Sequence, residues 1–300
     1  MLMDQFPNEM SSKYALQPLA KSQIPKLLEI LKSLLPDSII AYHWLLNGSR
    51  WIDGHGLDSK ILILCPNGDT NDGSMVGLID GLAGHNKIFG TVYVQPENMD
   101  KMKIAIKETE HIEWERLKHL IGVWRRFVPH LSEVMRAKGV EFTENYRTVN
   151  AMTILKAASL PSPKIPENIR VGPLDGSHLD VFCDNWPHYD PEFRPVIEKM
   201  LQCNPSVGIF TRTVPNEQET LVSMVVQADY GGIGLLQTTR AHQRKGYGEI
   251  ALVTLTKTLA EANILPFGFI VLENEKSMAL FKKCGFEVIG VMCKIIMTLK

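Results

Sequence analysis

The sequence predicts a mixed α/β (α+β) chain made of two halves. Strand-like and helix-like runs alternate along its whole length, and Pro161, Pro163 and Pro166 crowd into the segment SLPSPKIPEN near its middle. With 300 residues and about 150 in an ordinary domain, two domains are expected. Proline lacks the amide hydrogen that a helix interior or central strand needs. The boundary is therefore set there, with a mixed α/β domain over 1–160, a linker over 161–168 and a second domain over 169–300.

In the first half, apolar residues at helical spacing predict a helix from Gln23 to Leu35. The runs Ile39 to Leu46, Ile61 to Cys65 and Ile88 to Val94 are bounded by Gly, Asn, Asp or Pro and read as strands. Helices follow from Glu97 to about Lys107 and from Glu113 to Lys138, the second kinked or broken by Pro129, and then a strand from Glu141 to Val149. The second half opens with a strand, Ile169 to Val171, and two helices, Leu179 to Asn185 and Phe193 to Gln202. Strands Val207 to Thr213, Thr220 to Gln227 and Gly234 to Thr239 come next, separated by turn-forming residues. The chain ends with a helix Tyr247 to Glu261, a strand Phe267 to Leu272, a helix Lys276 to Lys283 and a strand Glu287 to Leu299.

Composition narrows the function. Lys and Arg total 32 against 33 Asp and Glu, a net charge of -1, with 45% hydrophobic and 22% charged residues. Phosphate backbones are bound largely through excess Lys and Arg, so nucleic acid is not the expected partner. No apolar run approaches the roughly 18 residues that span a bilayer. The opening MLMDQFPNEMSSKYAL carries Asp4 and Glu9 and resembles neither a secretory leader nor a transit peptide. Five cysteines without a C-x-x-C pair fit neither a disulfide framework nor a zinc site. A reducing, cytoplasmic setting is expected, with mitochondrial import through another signal left open. His111-Ile-Glu113 matches half of a zinc deaminase pattern, but P-C-x-x-C is missing. No metal is expected. The basic, amphipathic stretch WERLKHLIGVWRRFVPHLSEVMRAK could dock on a membrane surface or partner helix. Pro129 interrupts it, which favours a buried face backed by a solvated one.

Chemistry concentrates in LLQTTRAHQRKGYGEIALVTLTKTLAEA, a strand, a short basic turn and a helix whose start holds Gly246 and Gly248. The first four amides of a helix lack intrahelical acceptors, and the macrodipole adds about half a positive charge there. Glycines let a diphosphate approach the backbone, and Arg240, Arg244 and Lys245 add mobile positive charge. The alternative is a flexible helix start with a solvated basic face. Neither G-x-G-x-x-G nor G-x-x-x-x-G-K-[ST] occurs here, so a phosphate-bearing ligand other than a dinucleotide or a P-loop nucleotide is expected.

Gln243-Arg244-Lys245-Gly246-Tyr247-Gly248 resembles the [Q/R]-x-x-G-x-[G/A] motif of the GNAT acyl-CoA N-acyltransferases. Further on, Asn274 to Phe286 is similar to that superfamily's N-x-x-[SA]-x-x-[LF]-[YF]-x-x-x-G-F ending. Trp186, Ile197-Glu198 and Pro205-Ser206 resemble landmarks of the glycine N-acyltransferase-like branch. The likeness covers about Ile169 to Lys300 and implies a GNAT fold there. The first half would be a second, degenerate GNAT-like unit, by analogy with the branch.

The resemblance implies that acetyl-CoA or another acyl-CoA lies between two splayed strands. Its pantetheine arm would pair with Leu236, Gln237 and Thr238, and its diphosphate would sit on the amides of Gln243, Arg244, Lys245, Gly246, Tyr247 and Gly248. Asn274 and Phe281 would line the far side of the arm, although Met278, Leu280 and Phe281 also form an ordinary buried helix face. Trp186-Pro187-His188-Tyr189 falls where an acceptor pocket would form, with Trp186 and His188 as its candidates; a packed turn is the other reading.

Attack by a neutral amine on the thioester calls for a proton acceptor, because such amines are mostly protonated at neutral pH. The branch's catalytic carboxylate falls at Gly232 in this sequence, which leaves Asp229 and Glu273, with His242, as the nearest substitutes. The usual thiolate-protonating Tyr is Phe281. A thiol of pKa about 8.5 loses little by leaving as its anion. The expected function is transfer of an acyl group from acyl-CoA to the amine of a small acceptor such as an amino acid. The alternatives are an inactive acyl-CoA-binding module or a protein N-acetyltransferase.

Overall fold

The structure is a computed structural model that describes residues 15–55, 60–142, 147–186, 189–211 and 219–297. The described residues fall into two compact units, those within Met1–Thr148 and Val291–Lys300, and those within Val149–Gly290.

The first unit starts with β1 (Leu16–Pro18), α1 (Ile24–Ser33) and α2 (Ile39–His55), then β2 (Lys60–Pro66), β3 (Met75–Asp80) and β4 (Ile88–Tyr93). It continues with α3 (Met99–Glu108), β5 (Leu117–Trp124) and α4 (Val128–Ala137). Strands β1 to β4 pair antiparallel in chain order, and β5 lies parallel to β4. Residues from the chain's final strand close the sheet antiparallel on β5, with Met292 opposite Trp124 and Ile296 opposite His119. Leu78, Leu120, Phe127 and Leu131 pack with Cys293 and Ile295 in the core.

The second unit contains β6 (Arg147–Thr153), β7 (Ile169–Gly172), α5 (Leu179–Asn185), α6 (Arg194–Cys203), β8 (Ser206–Thr211), β9 (Thr220–Gln227) and β10 (Ile233–Thr238). Then come α7 (Tyr247–Glu261), β11 (Phe267–Val271), α8 (Glu275–Lys283) and the start of β12 (Glu287–Ile296), whose residues from Val291 onward belong to the first unit. Strands β7 to β10 pair antiparallel in order, β11 runs parallel to β10, and β6 closes the sheet antiparallel on β11. Each unit thus repeats one topology: strand, two helices, three strands, helix, strand, helix and a closing strand. The closing strand of the second unit is β6, which follows the first unit in sequence, while the first unit is closed by the C-terminal part of β12.

The units divide at Thr148 and again at Gly290, not at the linker expected over 161–168. Prolines mark where backbone pairing stops, whereas a unit ends where side-chain packing stops. Leu160 packs against the second unit's core, and the Lys257 ammonium donates to the Leu160 carbonyl and the Ser162 hydroxyl at 3.2 and 2.8 Å.

Two element expectations are corrected. Ile39 to Leu46 is helical, the opening of α2. Ile39, Ile40, Ala41, Trp44 and Leu45 are all buried, so the run has no polar face to betray its period, and a short apolar run does not distinguish a buried helix from a strand. Glu113 to Lys138 is not one broken helix, because Leu117–Trp124 is a strand held between β4 and the C-terminal strand. Gly122 adopts φ +68° there, and a Cβ on it would lie 2.5 Å from Ile40. With half of it a strand, the stretch is no continuous amphipathic helix for docking. Among the described residues, no helix is long and apolar enough to cross a membrane.

Two histidines of the first unit are buried, His43 and His119. Burial lowers the pKa of His43 to about 3. Burial, with Lys294 and Lys118 nearby, also holds His119 well below its ordinary value. In the unfolded chain both take up a proton near pH 6.5, so the unfolded state binds more protons at mildly acidic pH. Stability is therefore expected to fall as pH drops below 6.5, by up to about 1.4 kcal/mol per pH unit for each histidine. Denaturant midpoints at pH 7 and pH 5 measure this, and His119→Gln should flatten the profile; a flat profile in the unmodified chain would contradict it.

Candidate functional site

The site begins with an irregularity between two neighbouring strands. Along β9 and β10, Gly234 faces Val226 and Gln237 faces Met224, so Leu235 and Leu236 together oppose one residue. This is a β-bulge, which re-aims backbone groups and bends the strand. Leu235 takes φ +55°, an unusual setting for a residue with a branched side chain. On its other edge β10 meets β11 at Ile233 and Gly268, and no further pair follows between these strands among the described residues. A Cβ at Gly268 would come 2.8 Å from the Phe281 ring and 3.1 Å from the Ile233 carbonyl oxygen, so the one close contact depends on glycine. Beyond it the strands fork, and residues 234–238 are half-buried. A narrow ligand with amide groups of its own can pair with such an edge as an added strand.

At the open end of the fork the chain turns into α7. Arg244 and Gly246 have φ +67° and +83°, and Gly246 caps the helix without a side-chain hydrogen bond. The Glu249 and Ile250 amides each donate to the Gly246 carbonyl at 3.1 Å, whereas those of Tyr247 and Gly248 have no carbonyl one turn back to reach. A Cβ on Gly246 would meet nothing within 4 Å. The backbone is accordingly open to an anion, with Arg240, Arg244 and Lys245 exposed around it. Next to it lies a cavity of about 480 Å³, lined by Lys245, Gly246 and Ile250 of the helix start, Lys283 and Cys284 at the end of α8, and Pro161 to Lys164.

The remaining expected residues sort into groups. Thr238 lies over Gly248, its hydroxyl 3.4 Å from the glycine's Cβ position and 2.8 Å from the Ser223 hydroxyl. Ser223 donates to the Gln237 carbonyl at 2.8 Å, and the Gln243 amide to the Thr238 carbonyl at 3.3 Å. Leu236 packs against the core, as does Tyr247, which is 9% exposed. Phe281 is a core residue rather than a surface lining: it is 3% exposed and sits edge-on to Phe286 at 4.9 Å. Its ring supports the fork from below.

Asn274 caps α8, accepting from the Ser277 amide at 3.1 Å. Asn274→Ala is expected to cost about 1 kcal/mol of stability through that lost cap, read as a lower melting temperature. Asp229 is half-buried in the β9–β10 turn, and Glu273 is exposed after β11. His242 pairs with the Thr239 hydroxyl at 3.0 Å. Trp186 lies 6.1 Å, ring to ring, from Phe193, and His188 lies outside the described residues. Position 232 has no room for an acid, because a Cβ there would be 2.7 Å from ring carbons of both Tyr230 and Phe267. Among the described residues, no group of three His, Cys, Asp or Glu could hold a metal.

Leu235, Tyr230, Phe267 and Phe269 form part of the fork without a sequence motif marking them. The adjacent Gly232 and Gly234 were the only local signal, and glycine in a strand commonly attends a bulge or a close approach.

A family model described as "FR47-like protein" matches residues 206–295. No curated protein matches the sequence. Among solved structures, a Drosophila protein determined by structural genomics is 19% identical, with a TM-score of 0.80 over 95% of this chain and 99% of its own. A tandem GNAT protein from the clavulanic acid biosynthesis pathway is 11% identical, with a TM-score of 0.53 over 94% of this chain and 98% of its own. A GCN5-related N-acetyltransferase from Sphaerobacter thermophilus is 10% identical, with a TM-score of 0.51 over 97% and 96%. At these identities the likeness is one of fold: the chain has a GNAT fold, in a tandem-like arrangement across most of its length.

Proposed function

We propose that this protein is an acyl-CoA-dependent N-acyltransferase acting on a small amine, with its working site in the second unit. The observation that carries the reading is the conjunction of a strand fork with an open, glycine-capped helix start at its mouth. The residues suit such a co-substrate. Backbone amides on the open edge of 235–238 can pair with a pantetheine arm, the Tyr247 and Gly248 amides can take a diphosphate, and the lysine-bearing cavity beside them can receive what lies beyond it.

The thioester, once bound, offers a carbonyl carbon open to attack. A neutral amine adds to that carbon, its electron pair forming C–N while the carbonyl pair moves onto oxygen. Collapse breaks C–S, the thiolate leaves with the bonding pair, and the proton shed by nitrogen finally balances the sulfur. Edge amides at the bulge would bond the oxygen as charge develops on it, usually a large contribution. Holding the two reactants together supplies more. With glycine at 232, the nitrogen's proton is left to water or to a group such as Asp229 beside the turn.

Among its described residues, the first unit offers no equivalent cradle. Its strand corresponding to β10 is β4, and the short 3-10 turn Pro96–Asn98 that leads into α3 carries Glu97, with Asp100 in the first turn of α3 itself; these carboxylates disfavour an anion. We assign it a supporting role. A small amine, an amino acid among them, is preferred as acceptor because Trp186, Ile197-Glu198 and Pro205-Ser206 resemble the glycine N-acyltransferase-like branch. The buried rings at position 232 favour a second reading, an acyl-CoA-binding module without turnover. Purified protein incubated with short-chain, medium-chain and aromatic acyl-CoA thioesters and a panel of amino acids and arylalkylamines separates the two. Thiol release above the buffer rate supports the enzyme; tight binding by calorimetry without release supports the module.

A further inference from the structure

Tyr230 stands out at the fork because nothing in the family motifs marks it. It follows β9 in the turn leading to β10, and is 9% exposed. Its ring lies across β11, 6.0 Å from Phe267 and 5.1 Å from Phe269 between centroids. Its hydroxyl lies 3.0 Å from the Cβ position of Gly234, the residue just before the bulge. The aromatic group therefore bridges β10 and β11 where they begin to part. It does so on the face opposite α8, since the Cβ position of Gly268 points instead at Phe281.

We propose that the Tyr230 hydroxyl is a catalytic hydrogen-bond donor to the acyl carbonyl oxygen at this fork. The inference rests on the acyltransferase reading above. Burial, and Asp229 beside it, push the Tyr230 phenol well above its ordinary pKa, so at neutral pH it keeps its proton and cannot act as a base. A group that only donates is matched to the atom that gains negative charge, and in this reaction that atom is the carbonyl oxygen. Phe267 and Phe269 flank the ring and carry no charge, and a low-dielectric flank strengthens a hydrogen bond to developing charge. Position 234 must remain glycine on this account, because a side chain there would meet the hydroxyl. As the amine adds and the carbonyl electron pair moves to oxygen, the phenol shares its proton with that oxygen. When C–S breaks and the carbonyl reforms, the proton stays with Tyr230, and the nitrogen's proton goes to the departing sulfur through solvent.

Tyr230→Phe keeps the ring and removes only the hydroxyl. With the acyl-CoA and amine pair that the unmodified protein turns over, kcat is expected to fall on the order of 100-fold. The KM for acyl-CoA, the calorimetric affinity for acetyl-CoA and the melting temperature should stay as they were. Because the phenol does not titrate in the range, the loss should be the same at pH 6 and pH 9. Unchanged kcat in Tyr230→Phe overturns the proposal, as does a loss accompanied by equally weakened acetyl-CoA binding or a lowered melting temperature, which would mark a packing role. No turnover by the unmodified protein with any pair overturns the acyltransferase reading and this proposal with it.

Discussion

Gly246→Glu is expected to weaken acetyl-CoA binding by about 100-fold or more. Two effects act together. Gly246 holds φ +83°, a conformation that costs a residue with a Cβ roughly 1–2 kcal/mol. The new carboxylate would also stand in the open space at the helix start, where a diphosphate needs positive surroundings. Two opposite or like charges 4 Å apart near a surface interact by about 4 kcal/mol. Gly246→Ala separates the two causes, since it carries the backbone cost without the charge and should lose no more than about 30-fold. Calorimetry with acetyl-CoA on variants whose circular dichroism matches the parent provides the measurement. Affinity in Gly246→Glu within twofold of the parent would place the diphosphate elsewhere.

Phe281→Ala should produce the largest loss of stability among the site variants, about 3–5 kcal/mol. The ring is 3% exposed, packs edge-on against Phe286 at 4.9 Å and approaches the position a Gly268 side chain would take. Removing it leaves a cavity beneath the paired position at the root of the fork, Ile233 and Gly268. A drop in melting temperature of roughly 10 °C follows for a unit of this size. Acetyl-CoA binding should weaken too, but only because the fork loses its support. If Phe281→Ala instead kept the parent's melting temperature while losing affinity, the ring would be a ligand contact and not a core residue.

The second unit was far more legible in the sequence than the first. Tyr247–Glu261 and Leu179–Asn185 are helices with the ends their periodicity and flanking residues suggest, and β9 spans the Thr220 to Gln227 run. Each has one buried and one wetter face, or clear turn residues at its ends, so local pattern and final environment agree. In the first unit, the run Ile39 to Leu45 and the strand Leu117–Trp124 are buried on nearly every side, which erases the period that separates helix from strand. Their conformation was decided by neighbours distant in the chain.

The same division runs through the candidate site. Local sequence determined the open helix start that we propose as an anion cradle, because glycine at 246 and the basic residues around it belong to a feature built within a few residues. It also determined that an acid is missing at 232. Tertiary structure alone decided the rest: that Leu235 bulges, that β10 and β11 touch at one glycine and then part, that Phe281 is buried, and that Tyr230 reaches across the fork. Those outcomes depend on pairing and packing between segments tens of residues apart, where no short motif records who the neighbour will be. The units' closing strands show this most plainly, since the partner of β5 is supplied by residues at the far end of the chain.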